Sequence, residues 1–122
     1  MSKSIPKNRR AAFNNQGGLC YYCGFPMWLS EPDRFAVAFK IGKGDSSRFQ
    51  CTAEHLVAKQ NGGGNSAVNV VAACRFCNSR GHRRSSPPSP SAHKKRVQKR
   101  LSAGRWHPSH LRRLTSTGCR PT

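Results

Sequence analysis

Acidic side chains are scarce in this sequence. Among 122 residues there are four Asp plus Glu against 22 Lys plus Arg, so the formal net charge is +18. Such a chain has few acidic residues to pair with its basic ones. Its positive electrostatic potential attracts anionic partners, above all nucleic acid. Any site built on a carboxylate must use one of four residues: Glu31, Asp33, Asp45 and Glu54.

A long apolar run is also missing. No segment approaches the roughly 18 residues that a membrane-spanning helix needs, and the N-terminus lacks the apolar core of a secretory signal. We therefore expect a cytoplasmic protein without a membrane partner. The length excludes a large enzyme, because a second independent core would need about 100 residues of its own.

Six cysteines are present, and in a reducing compartment such residues bind metal more often than each other. Two Cys-x-x-Cys pairs contain four of them: Cys20, Cys23, Cys74 and Cys77. Zn²⁺ prefers four tetrahedral thiolates, and the two-residue gap lets both sulfurs of a pair face one ion. The pairs predict a structural zinc site, the alternatives being reduced buried thiols or disulfides. Cys51 is expected to be a small buried hydrophobe and Cys119 a free thiol.

Basic residues are concentrated in the last third of the chain, where 13 of the 22 lie at or after Arg75. Residues 85–91 are rich in Pro and Ser and are interpreted as a linker. The predicted organisation is a domain at 1–84, the linker, and a basic C-terminal arm at 92–122. The arm is expected to hold a helix near 92–103 and to have low order from 105 onward.

Secondary-structure patterns predict an α+β fold. A helix is expected at 8–16, strands at 35–41, 48–52 and 69–73, and a helix from about 77 to 84. From residue 48 the order is strand, glycine-rich loop, strand and helix, which is a ββα unit.

Three short motifs fall within this unit. They are Thr52-Ala-Glu-His55, Gly62-Gly-Gly-Asn65, and the run from Asn69 through Cys74-Arg-Phe-Cys77-Asn78. With the two cysteine pairs, they make residues 20–82 resemble the HNH endonucleases, in particular the small four-cysteine subgroup. His55 matches the first motif His, Asn69 the central Asn and Asn78 the third position, which gives an H-N-N variant. Glu54 stands where Asp is commoner.

The resemblance implies a ββα-metal (His-Me finger) domain held together by zinc, which hydrolyses DNA phosphodiester bonds to 5′ phosphate and 3′ hydroxyl ends. It also implies a bacterial or phage origin. The catalytic set would be His55, Asn69 and Asn78. Glu54 and the Asn78 carbonyl would bind the catalytic Mg²⁺ or another divalent ion, because both offer oxygen ligands.

The chemistry of the side chains fits these roles. His55 qualifies as a general base, since a histidine is mostly neutral at pH 7. Asn69 is interpreted as structural, with an amide that bridges the two strands and holds the hairpin that presents His55. Alternatives stay open: Asn78 as a helix cap and Glu54 as a surface ion pair.

The remaining histidines have a less specific interpretation. His82 follows Asn78 by four residues on the same helix face and could be an additional ligand or a phosphate donor. By residue type, however, four histidines are expected to be ordinary basic or surface residues: His82, His93, His107 and His110.

The basic residues around the last helix and in the arm are expected to bind phosphates. This set contains Arg75, Arg80, Arg83, Arg84, Lys94, Lys95, Lys99 and Arg100. DNA is the expected partner, and RNA is not excluded. The alternative function is a non-catalytic zinc module that binds nucleic acid. Binding to a membrane surface through 92–103 is disfavoured because that segment has few apolar anchors.

Overall fold

The computed structural model describes residues 4–57, 64, 69–83 and 87–114. The elements, in chain order, are α1 (Ser4–Asn15), α2 (Pro32–Phe39), α3 (Lys43–Ser47), β1 (Cys51–His55), β2 (Val70–Cys74), α4 (Arg75–Gly81), α5 (Pro90–Ser102) and a 3₁₀ helix (Ser109–Leu114). The fold is α+β with a two-stranded sheet, as the sequence predicts. Within the described ranges no helix has the length and apolar character needed to cross a bilayer.

The two strands form an antiparallel hairpin. Cys51 lies opposite Cys74 at one end of the ladder, and His55 lies opposite Val70 at the other. Helix α1 packs against both strands, and Gln16 at its end exchanges hydrogen bonds of 2.8 and 2.9 Å with the backbone of Ala72. The hairpin is thereby covered along β2.

Helix α4 follows β2 directly. Cys74 has extended backbone angles and is the N-cap residue of α4, so the chain turns from strand to helix at a predicted metal ligand. The expected strand-loop-strand-helix order is confirmed, although β1 begins at Cys51 and α4 at Arg75 rather than at the predicted 48 and 77.

The strand expected at 35–41 is wrong, because this segment belongs to α2. Phe35, Ala36 and Phe39 are buried, while Val37 is 79% exposed, so burial follows the helical period and not strand alternation. Pro32 occupies the first turn, where a missing N–H costs nothing. Lys40 ends the helix in the left-handed region. The aromatic and β-branched residues of this segment favour a strand by propensity. The segment is nevertheless a helix, because burial of one helical face against the core outweighs that propensity.

The basic arm packs against the rest of the chain. Ser89 caps α5 by accepting a 3.2 Å hydrogen bond from the Ala92 backbone. Val97, Leu111 and Leu114 are fully buried in the same core cluster as the cysteine pairs. The low order expected from residue 105 is therefore wrong for 105–114, while 115–122 lies outside the described residues. The division of the chain at 84 and 91 stays a prediction.

Candidate metal centre and active site

Four buried cysteines meet at the junction of the N-terminal turn, β2 and α4. Their sulfur atoms all lie within 4.8 Å of one another, and Sγ of Cys23 is 4.0 Å from Sγ of Cys74. Tetrahedral Zn–S bonds of about 2.3 Å would place the sulfurs about 3.8 Å apart. The cluster, made of Cys20, Cys23, Cys74 and Cys77, could therefore hold a structural metal ion such as zinc, as the sequence predicts.

Local backbone structure positions the first pair. Cys20 N donates to Phe25 O at 2.9 Å, and Gly24 N donates to Cys20 O at 2.9 Å. Gly24 has φ +75°, a conformation that favours glycine. Tyr21 N donates to Ala72 O at 2.9 Å, so the turn is tied to β2 and the two pairs face each other.

The cysteine sulfurs accept hydrogen bonds from several parts of the chain. The backbone N–H groups of Tyr22 and Cys74 lie 3.3 and 3.2 Å from Sγ of Cys20. The indole Nε1 of Trp106 donates to Sγ of Cys77 at 3.2 Å. Such donors stabilise thiolates around a metal. The donor from Trp106 was not found by sequence reasoning, because nothing in its local pattern links it to Cys77.

Cys51 lies outside this cluster. It is fully buried, and burial raises the pKa of its thiol to about 11. The prediction of a small buried hydrophobe is confirmed. Cys119 lies outside the described residues.

A cavity of about 880 Å³ opens at the end of the hairpin, and Glu54, His55 and His82 all line it. Glu54 and His55 are the last two residues of β1, and His82 directly follows α4. The rest of the wall comes from Tyr22, from the chain after β1, and from the start of α5 with the prolines before it. The cavity thus joins the ββα unit to the arm.

Glu54 is the buried carboxylate of this cavity. Its side chain is 7% exposed, and Nε2 of His82 lies 3.0 Å from Oε1 and 3.1 Å from Oε2. The Tyr22 hydroxyl donates to Oε2 at 3.1 Å. Burial and the neighbouring carboxylate raise the pKa of Tyr22, so the phenol stays protonated as a donor. The sequence did not identify Tyr22, since its position beside Cys23 carries no signal for Glu54.

His82 was expected to be an ordinary basic or surface residue, with a role as an additional ligand left open. The structure shows it as an exposed residue whose ring contacts the Glu54 carboxylate. The available signal was its spacing of four residues from Asn78, which puts both side chains on the face of α4 that packs against β1.

Asn69 joins the two ends of the hairpin loop. Its Oδ1 accepts from Val57 N at 2.8 Å, and its Nδ2 donates to Val57 O at 3.0 Å and Gly64 O at 2.7 Å. The amide thus holds the segment that follows His55, and it does not line the cavity among the described residues.

Asn78 is held against β1. Its Nδ2 donates to Thr52 Oγ1 at 2.9 Å and to Ala53 O at 3.2 Å. Because the nitrogen is used by the strand, the carbonyl oxygen is the atom that remains for a metal ligand. Asn78 is absent from the described wall of the cavity, and the direct partner of Glu54 is His82.

Two further histidines differ from the sequence-based expectation. His93 and His107 are 2% exposed, so the expectation of surface residues is wrong for both. Nε2 of His93 lies 2.9 Å from Cys77 O, which adds a second contact between the arm and the last cysteine. Burial lowers the pKa of His93. His82 and His110 are exposed and pair with Glu54 and Asp45.

The predicted phosphate-binding residues lie on α4, α5 and their surroundings. Most are exposed: Arg75, Arg80, Arg83, Lys95, Lys99 and Arg100. Lys94 is half-buried, with its ammonium 4.2 Å from the centroid of the Tyr21 ring. Arg84 lies outside the described residues.

No protein-family model, curated protein sequence or solved structure matches the chain. The fold and the site define a small α+β domain with a two-stranded sheet and a four-cysteine cluster that could bind a metal ion.

Proposed function

We propose that this protein is a divalent-metal-dependent endonuclease of the HNH type, which hydrolyses phosphodiester bonds in DNA. The observation that carries the proposal is the convergence of Glu54, His55 and His82 on one cavity. The hairpin and α4 contribute to the wall of that cavity, and the same two elements carry Cys74 and Cys77 of the four-cysteine cluster. In this proposal the cluster holds zinc and is purely structural, because four thiolates leave no open coordination position.

Glu54 and His82 would hold the catalytic divalent ion, and Asn78, which is bonded to β1 and does not line the described wall of the cavity, would hold α4 in place beside them. The described chain has no Lys or Arg paired with Glu54, although basic residues outnumber acidic ones 22 to 4. The buried carboxylate suits Mg²⁺ or Mn²⁺, and the adjacent imidazole suits a first-row transition-metal ion. When bound, the ion supplies positive charge beside the phosphate oxygens and the leaving 3′ oxygen.

His55 would act as the general base. It is the last residue of β1 and lies on the wall of the cavity, next to Glu54 in sequence. Its imidazole would take a proton from the water that attacks phosphorus. Asn69 would support this role from outside the cavity, since two of its three hydrogen bonds fix the backbone of Val57, two residues after His55.

The charge distribution supports a nucleic-acid substrate. The exposed Arg and Lys residues lie on or next to α4 and α5, two helices that also contribute residues to the cavity wall. Phosphate contacts by such residues give affinity with little sequence information. The same electrostatic argument applies to RNA, so both polymers belong in the assay.

The test is cleavage of supercoiled plasmid by the wild type and by His55→Ala, with Mg²⁺, with Mn²⁺ and with no added divalent ion. Loss of a general base should lower the rate about 10²- to 10⁴-fold. His110→Ala is the matched control, because His110 is an exposed histidine paired with Asp45 away from the cavity, and it should cleave like the wild type. Zinc content and DNA binding should be equal in all three proteins.

One observation favours a second candidate, a non-catalytic zinc module that binds nucleic acid. The Glu54 carboxylate already accepts from Tyr22 and pairs with His82, an arrangement that can stabilise the fold without a second metal. This candidate predicts binding without cleavage by any of the three proteins on DNA or RNA. Equal cleavage by wild type and His55→Ala would contradict the assigned base.

A further inference from the structure

A second cavity, of about 320 Å³, lies between α4, α5 and the turn after α5. Its described lining consists of four arginines and two aromatic residues: Phe76, Arg80, Arg83, Arg96, Arg100 and Trp106. It shares no described lining residue with the cavity that contains His55. We call it the arginine pocket.

The aromatic residues form a fixed part of this pocket. The rings of Phe76 and Trp106 meet edge to face, with centroids 5.3 Å apart. The indole N–H of Trp106 is directed at Cys77 Sγ, and Arg48 holds Trp106 O by a 3.0 Å hydrogen bond. The pocket therefore has a rigid apolar surface that is tied to the cysteine cluster.

The arginines come from two elements that approach closely. Arg96 and Arg100 are one turn apart on α5 and so share a face of that helix, and Arg80 and Arg83 lie at the end of α4 and just beyond it. The guanidinium carbon of Arg80 is 4.8 Å from the centroid of the Phe76 ring. The two elements contact where Gly81 faces His93.

No carboxylate lines the described wall of this pocket. Four like charges brought together raise the electrostatic energy of the folded chain, and a bound anion lowers it. Guanidinium groups form paired hydrogen bonds with phosphate oxygens. The Phe76 ring helps to hold two of the nearby guanidinium groups, those of Arg48 and Arg80, 3.5 and 4.8 Å from its centroid. The pocket is therefore matched to a phosphate group of a nucleic-acid strand.

We propose that the arginine pocket binds a backbone phosphate next to the one that is hydrolysed, and so sets the position of the strand in the active site. The neighbouring position rests on the proposed function. His82 lines the active-site cavity and Arg83 lines the arginine pocket, so the two openings come within one residue of each other along the chain. This adjacency is the reason for placing the two phosphates next to each other on one strand.

Binding is tested with Arg83→Gln/Arg100→Gln and a short DNA duplex without added divalent metal, so that no cleavage occurs. Lys7→Gln/Lys43→Gln is the matched control, because both lysines are exposed, lie outside the pocket and remove the same charge. We expect the pocket variant to bind DNA about tenfold more weakly than the control variant, with a salt dependence reduced by about one phosphate contact. Arg83→Lys/Arg100→Lys should lie between, since the charge remains but the paired hydrogen bonds are lost.

The chain carries its own reporter of where the phosphate binds. It has two tryptophans, and the indole N–H of Trp28 donates to Ser46 O in a separate part of the fold. In an NMR titration, DNA should shift the indole signal of Trp106 and leave that of Trp28 in place. Inorganic phosphate alone should act on Trp106 only at much higher concentration than DNA phosphate.

The proposal is overturned if the pocket variant binds DNA as well as the charge-matched control, or if DNA leaves the Trp106 signal unchanged. It is also overturned if inorganic phosphate binds as tightly as DNA, because the pocket would then be a site for a free anion. Binding that behaves as expected in a wild type that cuts no substrate would support the pocket and contradict the proposed nuclease. Cleavage by a wild type whose DNA binding is unaffected by the pocket substitutions would support the proposed nuclease and contradict the role of the arginine pocket.

Discussion

His107 lies among the rings of Phe25, Phe49 and Phe76, with centroid distances of 4.4, 5.4 and 5.4 Å. Its Nδ1 accepts a 2.9 Å hydrogen bond from Arg48 Nε, and its Nε2 is buried without a partner among the described residues. Burial, reinforced by the Arg48 guanidinium, lowers the pKa of His107 to about 3. The residue serves as a neutral core group in a strongly basic protein.

This buried imidazole makes stability depend on pH. Above about pH 6.5 His107 is neutral in the folded and in the unfolded chain. Below that pH the unfolded chain is protonated at His107, whereas the folded chain is protonated there only near pH 3. The free energy of unfolding should therefore fall by about 1.4 kcal/mol per pH unit in this window as pH decreases. His107→Phe keeps an aromatic ring and removes the titration.

The measurement is urea unfolding of both proteins at pH 7 and pH 5. The stability of the wild type relative to His107→Phe should decrease by about 2 kcal/mol between these conditions. Acid-induced loss of metal affects both proteins and cancels in the comparison. A difference that does not change with pH would contradict the assignment.

At the scale of elements, the contact of α4 with α5 is one of those that connect the ββα unit to the arm. A Cβ atom added at Gly81 would lie 3.0 Å from Cδ2 of His93. His93 cannot easily move away, because it is 2% exposed and its Nε2 contacts Cys77 O. Glycine is therefore required here for close helix packing.

Gly81→Ala should lower the free energy of unfolding by about 1 to 3 kcal/mol, as expected for overpacking. Gly44→Ala is the matched control: Gly44 lies in α3, and nothing lies within 4 Å of its added Cβ. The control should be unchanged or up to about 1 kcal/mol more stable, because alanine favours the helix. Urea unfolding of both variants decides, and equal stability of the two would show that α5 adjusts to the added methyl group.

On the scale of the whole molecule, one hydrophobic cluster contains the cysteine pairs, the aromatic residues of α2 and the leucines after α5. Metal binding to the cysteines would therefore be coupled to folding of the described chain. A core in so small a protein is marginal by itself.

Removal of the metal by a chelator should accordingly unfold the described domain, and the purified protein should carry one zinc ion per chain. Cys77→Ser should lose that zinc, whereas Cys51→Ala should retain it, since Cys51 is buried outside the ligand cluster. Metal analysis and circular dichroism measure both effects. A chelated chain that keeps a cooperative thermal transition would contradict the coupling.

Prediction from the sequence succeeded where chemistry is carried by short spacings. The Cys-x-x-Cys pairs predicted the cysteine cluster. The strand segments predicted at 48–52 and 69–73, on either side of a glycine-rich stretch, predicted the hairpin, with a helix expected after it. Prediction failed at 35–41, where residue composition favoured a strand. It also failed at 105–114, where Pro and Gly suggested low order although two leucines of this segment are buried. In both segments the structure was decided by which side chains are buried in the core. Secondary-structure propensity, which depends on local sequence, does not contain that information.

The sequence alone determined the basic charge, the presence of four paired thiols and the adjacency of Glu54 and His55, because these features depend only on composition and on local spacing. Only the tertiary structure placed Tyr22 and His82 on Glu54, Trp106 on Cys77 and four arginines around one pocket. These contacts join residues that are distant in sequence. Those on Glu54 form when the N-terminal turn and the end of α4 pack against β1, and those of Trp106 and the arginine pocket form when the arm packs against the ββα unit.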